Sequence, residues 1–389
     1  MGDVMGRSAP FLRRLRVTDY RSIASCDVAF TPLLVLLGPN GAGKSNVVDA
    51  LLFLADALRS TPADAATSRG GLDEILRRSA EPTDRFSVHL DIAVELNGEP
   101  TPVEYGFTLG RDSTGQRPVV VHEERCVIRG REGQEITTGF TLRDGLIVDG
   151  GKIERDRLYL PLAATQGEYA EVYRSLRAML FYHLNVDRMR QIEHVGFGKR
   201  LGYSGERLGA VLGELAQEHP VFKARIDDYL NAIVPEAVGV DQRVIDSYST
   251  VELRTREGER PFGPEAISVG TLHAAGVLTA LFQPAVLEGQ ATLVTIEEPE
   301  TALHPAAAGA LFDALTEASE HVQVLITTQS ADLLDRDDFD PASVRVVAMS
   351  GGVTKIGEID EVSRRLVEDG RTTLGELMRG GQLQPEESA

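Results

Sequence analysis

Tryptophan is absent from the 389-residue chain, cysteine occurs only twice, and aromatic residues make up just 6% of it. The two cysteines, Cys26 and Cys126, stand too far apart in sequence to form metal-ligand spacing or a disulfide framework. They read as ordinary thiols of a reducing compartment. No apolar run approaches membrane-spanning length, and Met1 to Arg16 carries Arg7, Arg13, Arg14 and Arg16 without the apolar stretch of a secretion signal. A soluble, cytoplasmic protein with no membrane partner is expected. Positive charge is also in deficit: the formal net charge is −19. That opposes non-specific adhesion to nucleic acid or to anionic lipid and leaves room only for a local basic strip. Heptads sustained long enough for a coiled-coil arm are missing, as are internal repeats and low-complexity segments.

What is present describes an ordinary globular chain: 42% of residues are hydrophobic and 25% charged, enough for one large α/β domain with insertions or two modest ones. One stretch organises the rest. The apolar run Leu33-Leu34-Val35-Leu36-Leu37 leads into Gly38-Pro39-Asn40-Gly41-Ala42-Gly43-Lys44-Ser45, after which Val47, Leu51, Leu54 and Leu58 recur at helical spacing. A glycine-rich turn between a buried strand and a helix aims its backbone N–H groups at one point, where the helix dipole adds partial positive charge. A triphosphate fits there. Asn40, Gly41, Ala42, Gly43, Lys44, Ser45 and Asn46 are therefore the expected nucleotide-binding residues, with Lys44 reaching the β- and γ-phosphates and the Ser45 hydroxyl on Mg²⁺.

Along the chain, Phe11 to Phe30 alternates like two strands joined near Tyr20-Arg21-Ser22, and Ser60 to Gly71 reads as a mobile connection. Phe86 to Leu109 alternates with period two around Asn97-Gly98, a hairpin signature, and shorter strands follow near Val119 to Ile128 and Phe140 to Leu142. From Glu168 to Val234 the spacing turns helical, through Val172, Leu176, Leu180, Leu208, Val211, Leu212, Leu215, Ile226 and Leu230. Thr271 to Phe282 reads as a buried helix. Leu293 to Ile296 and Val322 to Ile326 read as central parallel strands, and Val344 to Met349 with Val353 to Ile359 as a terminal pair. The resulting division is 1–81 for the N-terminal strands, P-loop and first helix, 82–166 for a β-rich lobe, 167–238 for a helical insertion and 239–389 for the second half of the core.

Two further motifs carry chemistry. Thr292 to Ile296 is an apolar strand ending in Glu297-Glu298-Pro299-Glu300. Paired carboxylates behind a P-loop divide the work, Glu297 holding the metal shell and Glu298 orienting or deprotonating the attacking water. Between them in sequence, Ser268-Val269-Gly270-Thr271 opens an apolar helix, where a hydroxyl and exposed amides can either cap the helix or meet a phosphate. A locally basic stretch, Arg188, Arg190, Lys199, Arg200 and Arg207 with Tyr182, Phe197 and Tyr203 interleaved, reads first as a solvated helical face and second as a contact for phosphates or an acidic partner.

Together, Gly38 to Ser45, Ser268 to Thr271, Glu297 to Glu300 with Leu303-His304-Pro305, and Thr327-Thr328-Gln329-Ser330 resemble the ABC-type ATPases of the RecF, SMC and OLD group. The short OLD-like ATPases associated with bacterial defence are the most similar. Tyr20-Arg21-Ser22-Ile23 and Thr373-Leu374-Gly375-Glu376-Leu377 also resemble that group, so the likeness spans nearly the whole chain and is weakest in the inserted lobes. It implies an α/β P-loop NTPase head with an antiparallel β lobe and an inserted helical subdomain, using ATP and Mg²⁺. It further implies a homodimer or higher homo-oligomer in which Ser268 and Gly270 of one head face the P-loop of the other. Arg21 would approach the nucleotide, Glu300 would lie in the loop between the two sites, and Gln329 would take a switch position where the group usually has histidine. Glutamine accepts from water and donates to a phosphate but does not titrate, which implies slow hydrolysis. The glutamine of the Q-loop is not fixed by the pattern; Gln116 and Gln134 both qualify. The stretch Val344 to Ala389 is too short for the Toprim nuclease domain of OLD proteins, so the expected activity is ATP hydrolysis that regulates a separate effector, in anti-phage defence. A nucleotide-gated scaffold and a RecF-like DNA-repair ATPase are the alternatives.

Overall fold

The computed structural model describes residues 10–79, 83–130, 136–147, 152–165, 167–195, 200–258, 260–336 and 339–386. Two sheets dominate. The central one has six strands in the order Val353–Gly357, Val344–Ser350, Leu33–Leu37, Gln323–Thr328, Leu293–Glu297, Met179–Tyr182; all run parallel except the first, which pairs antiparallel at one edge. The other has seven antiparallel strands: Ile23–Ala29, Leu12–Tyr20, Arg85–Leu96, Glu99–Gly110, Val120–Arg129, Ile136–Arg143 and Leu146–Ile147. A small third sheet is a ribbon, Ala237–Ile245 with Tyr248–Thr255, joined at its tip by Glu193–His194.

The central strand Leu33–Leu37 is buried at every position because both of its faces are covered, and its side chains alternate between two cores. Leu34 and Leu36 face the P-loop helix, Lys44–Arg59, and the inner side of the antiparallel sheet. Leu33, Val35 and Leu37 face the helices Leu208–Glu218, Pro220–Ile233, Val269–Phe282 and Ala308–Ser319. The P-loop helix is thus sandwiched between two sheets, with Phe53 edge-on to Phe86 at 5.2 Å and to Phe107 at 6.2 Å between ring centres. The Asn97-Gly98 turn closes the long hairpin with positive φ at both residues (55° and 79°), the conformation that this dipeptide favours. These layers match the expected class, an α/β P-loop head carrying an antiparallel lobe and a helical layer. Val269–Leu287 is long and apolar enough to cross a membrane, and 89% of its apolar window is buried inside the fold.

Three local expectations differ. Ser60 to Gly71, read as a mobile connection, contains the helix Pro62–Thr67, capped by the Thr61 hydroxyl accepting from Asp64 N–H at 3.1 Å. Arg69 anchors it, with only 7% of its side chain exposed and with carboxylates of Asp49 at 2.8 Å and Asp56 at 3.1 Å. Second, Leu180, counted in a helical pattern, lies in the strand Met179–Tyr182, which pairs with Leu293–Glu297. A four-residue apolar run has no period of its own, and the free edge of the central sheet decides it. Third, the seven-stranded sheet recruits Leu12–Tyr20 and Ile23–Ala29 from the first segment alongside the strands of the second. The division drawn along the sequence at 82 thus runs between strands of one sheet.

Candidate functional site

The parallel strands end at one edge of the central sheet, and the expected chemical groups meet there. Pro39, Asn40, Gly41 and Ser45 are exposed at the loop, while Lys44 is buried beneath it. Lys44 Nζ donates to the carbonyls of Gly38 (2.7 Å) and Pro39 (3.1 Å), and burial lowers its pKa against the opposing pull of Glu298, Glu300 and Glu297. The loop needs its glycines. Gly43 sits at φ 104°, and a Cβ on Gly38 would stand 2.1 Å from the Val347 carbonyl oxygen.

The Ser45 hydroxyl lies near the Glu297 carboxylate and favours its charged form. Burial resists ionisation of Glu297, but the neighbouring His183 and Ser45 side chains and the charges of His183 and Lys44 outweigh it, so its pKa is lowered. Serine and a carboxylate held together beside a buried lysine are oxygen donors fit for a hard cation such as Mg²⁺. Glu298 follows with φ 45°, a left-handed conformation that costs a non-glycine residue energy and concentrates at functional sites. Its N–H donates to the Thr327 carbonyl at 2.9 Å, and Gln329 Nε2 lies 3.5 Å from its Oε2. Glu300 Oε1 accepts from the Thr328 hydroxyl (2.5 Å) and from Gln329 N–H (3.4 Å), while its buried Oε2 has no partner among the described residues; burial raises its pKa. Glu297, Glu298, Glu300 and Gln329 are therefore one cluster, as the motifs imply.

The helix opening behaves as a cap and remains accessible. Ser268 Oγ accepts from Thr271 N–H at 3.1 Å, yet Ser268 and Val269 are exposed. Gly270 packs so closely against the loop after Glu300 that a Cβ would stand 2.4 Å from the Ala302 carbonyl oxygen. Arg21 lies on the tight turn between the first two strands at φ 50°, with NH2 3.0 Å from Asp49 on the P-loop helix and a buried Nε that has no partner among the described residues. In the basic stretch, Arg190 donates to the Ile267 carbonyl at 2.8 Å and Arg207 to that of Arg200 at 2.8 Å, so these two brace their own loops. Gln116 sits in an exposed turn of the antiparallel lobe, away from this edge. Gln134, Phe197 and Lys199 lie outside the described residues.

Sequence reasoning missed four contributors. His183, directly after the strand Met179–Tyr182, places Nδ1 3.5 Å from Glu297 Oε1, and its ring stacks on Tyr203 at 6.3 Å. That hydrogen bond raises its pKa. His273, in the buried helix behind Ser268, lies near the Glu298 backbone, and burial keeps its pKa low. Thr354 and Ser22 clamp the loop: Thr354 Oγ1 donates to the Ala42 carbonyl (3.0 Å) and meets Ser22 Oγ (2.6 Å), which accepts from Asn46 Nδ2 (2.6 Å). Ser22 lies in the Tyr20-Arg21-Ser22-Ile23 motif without a role assigned to it there, and no motif marks the other three. Only an adjacent-strand argument, placing an apolar run beside Leu293–Glu297, would have singled out His183.

Comparison with known proteins agrees with this geometry. The model of a family described as "AAA domain, putative AbiEii toxin, Type IV TA system" matches residues 33–335. The DNA replication and repair protein RecF of Pseudarthrobacter chlorophenolicus is 27% identical over 180 residues, covering 44% of this chain and 41% of that protein. RecF of Brucella abortus is 24% identical over 246 residues, covering 59% of this chain and 60% of that protein. The chain thus spans about half the length of these curated relatives. Among solved structures, an Smc head bound to the C-terminal winged-helix domain of ScpA overlays with a TM-score of 0.58 at 12% identity, over 92% of this chain and all of that one. An Smc head with an extended coiled coil, bound to the C-terminal domain of ScpA from Pyrococcus furiosus, overlays with a TM-score of 0.54 at 13% identity, over 94% of this chain and all of that one. At such identities the likeness establishes the fold, that of a P-loop ATPase head.

Proposed function

The chain belongs to the family of AAA domains described as putative AbiEii toxin of type IV toxin–antitoxin systems, and from that premise we propose that it binds ATP with Mg²⁺ and hydrolyses it as a dimer or higher homo-oligomer closed around the nucleotide. In this reading the amides from Asn40 to Asn46 hold the phosphates and Lys44 exchanges the carbonyls of Gly38 and Pro39 for β- and γ-phosphate oxygens. Ser45 and Glu297 hold the cation, whose charge offsets that developing on the phosphates. Glu298 takes a proton from the attacking water, and Gln329 orients that water from the neighbouring strand. Arg21 exchanges its ion pair with Asp49 for the nucleotide. The exposed Ser268 of a second copy, with the half-buried Gly270 behind it, closes the site from the other side.

The observation that carries this reading is that one strand ties the phosphate loop to the acidic strand end: Gly38 N–H donates to the Thr328 carbonyl at 3.3 Å and Glu298 N–H to the Thr327 carbonyl at 2.9 Å. Phosphate release by Lys44→Ala and Glu298→Gln tests it: both lose turnover, and parental rates in both would refute the site. Mass in solution with and without ATP tests the closure, which is expected to double the mass.

A scaffold with little turnover is supported by Gln329, whose amide cannot carry a proton away. ATP-dependent assembly at negligible phosphate release would favour it. A RecF-like role on DNA is supported by the matches to RecF and opposed by the charge of −19; salt-sensitive DNA binding in the presence of ATP decides it. The Smc heads of the solved structures carry a ScpA domain, which supports a protein partner here as well. The proposed partner is a separately encoded effector, tested by co-purification with the neighbouring gene product. A role in anti-phage defence follows from the OLD-like resemblance and is tested by phage plating on cells with and without the Glu298→Gln protein.

A further inference from the structure

Thr354 lies in the edge strand Val353–Gly357, 312 residues along the chain from Ala42, and its side chain is fully buried against the phosphate loop. Its Oγ1 donates to the Ala42 carbonyl at 3.0 Å and stands 2.6 Å from Ser22 Oγ, which accepts from Asn46 Nδ2 at 2.6 Å. These contacts fix where the protons sit. A hydroxyl has a single proton, and that of Thr354 goes to the Ala42 carbonyl, so Ser22 donates to Thr354 and draws its own donor from Asn46. The result is a directed chain from Asn46 through Ser22 and Thr354 to Ala42, in which each hydroxyl donates once and accepts once and each bond polarises the next. Both ends of the chain lie on the loop itself, on either side of Gly43, Lys44 and Ser45. A further bond, from Thr354 N–H to the Ser22 carbonyl at 2.9 Å, ties the edge strand to the turn that carries Arg21.

The Ala42 carbonyl and the Gly43 N–H belong to one planar trans peptide and point in opposite directions. Holding the carbonyl toward Thr354 therefore aims the Gly43 N–H at the opposite face of the loop. Gly43, at φ 104°, has no side chain to resist a flip of that peptide. No other residue fits there, because a Cβ on Gly43 would stand 2.0 Å from Thr354 Oγ1. The position that must be glycine is thus also the one that needs an outside restraint. We propose that Thr354 is a positioning residue of the nucleotide site: through the chain from Asn46 and Ser22 it locks the Ala42–Gly43 peptide with its N–H toward the phosphates before nucleotide arrives. The lock is a preorganising device, so it acts on affinity. It leaves Glu298 and the attacking water untouched, and the chemical step keeps its rate.

This inference rests on the nucleotide site proposed above, and the experiment separates the two. Affinity is read by fluorescence titration of the full-length protein with Mg²⁺ and N-methylanthraniloyl-labelled β,γ-imido-ATP, beside the maximal rate of phosphate release at saturating ATP. Thr354→Val keeps the shape and removes the hydroxyl; it is expected to weaken binding about tenfold while the maximal rate stays within about twofold of the parent's. Thr354→Ser restores the hydroxyl and is expected within about twofold of the parent on both measures. Ser22→Ala cuts the chain from outside the central sheet and is expected to weaken binding about threefold, which keeps the test open should Thr354→Val fail to fold. Parental affinity in Thr354→Val or in Ser22→Ala overturns the inference, with the nucleotide site intact. Equal weakening in Thr354→Val and Thr354→Ser does the same, since the hydroxyl is then not the agent, as does a fall in maximal rate at parental affinity. A parent that does not bind the labelled nucleotide overturns the nucleotide site itself, and this inference with it.

Discussion

The central parallel sheet and the antiparallel lobe are made of similar apolar side chains and put them to different ends. In the lobe, strands that follow one another in sequence pair with one another, so each turn sets the register of the next pair. Its polar groups serve cohesion: Glu124, fully buried, accepts from the Tyr105 hydroxyl at 3.0 Å and from the Tyr159 and Leu160 N–H groups. Among the parallel strands of the central sheet, spatial neighbours come from distant parts of the chain, and each points its end at the same edge. There Lys44, Ser45, Glu297, Glu298 and Gln329 share one place, and the strained backbone of Glu298 is held by the next strand. Cohesion comes from local order in one region; chemistry comes from convergence in the other.

The comparison can be broken most forcefully in the lobe. Phe107→Ala removes a fully buried ring from the edge-to-face cluster with Phe53 and Phe86, and is expected to lower unfolding stability by roughly 3–5 kcal/mol in urea titration. At the sheet edge the effect is on rate instead. Glu298→Gln is expected to slow phosphate release by about 10²–10³-fold, while the melting temperature without nucleotide stays with the parent.

Glu124 sharpens the contrast through pH. Burial raises its pKa from 4.5 to about 7, against the hydrogen bonds that favour the charged form. Between those values the folded protein keeps a proton that the unfolded chain has released, so stability falls as pH rises from about 4.5 to about 7, by about 2–3 kcal/mol. Glu124→Gln is expected to remove this slope. It also costs roughly 1–3 kcal/mol, because an amide N–H then faces the Tyr159 N–H. Denaturant midpoints at pH 5 and pH 7 check both, while ATP turnover, once corrected for the folded fraction, keeps the parental value. Last and smallest, Arg14→Ala removes an ion pair with Asp27 in which both side chains are about half exposed, and is expected to shift stability by less than about 1 kcal/mol.

The lobe was legible because its signals are local: period-two alternation and Asn97-Gly98 give strands and turn directly. The P-loop was legible because its glycines, lysine and serine are contiguous and must be. Met179–Tyr182 was not, since four apolar residues beside a helical pattern carry no period, and only an open sheet edge makes them a strand. Helix Pro62–Thr67 was masked by a composition typical of loops, and the buried pairs of Arg69 with Asp49 and Asp56 override it. The terminal pair was seen as a pair but not as the clamp on the P-loop. Val347 and Thr354 reach Gly38, Ala42 and Gly43 only after the strand beside them has joined the central sheet.

By itself the amino-acid sequence determined which groups could bind phosphate, hold a cation and activate water, because those roles are written in short runs of residues whose neighbours along the chain suffice. Tertiary structure alone decided which side chains stand beside them. His183 reaches Glu297 because parallel strands, joined through long crossovers, take their neighbours from the order of the sheet and not from distance along the chain.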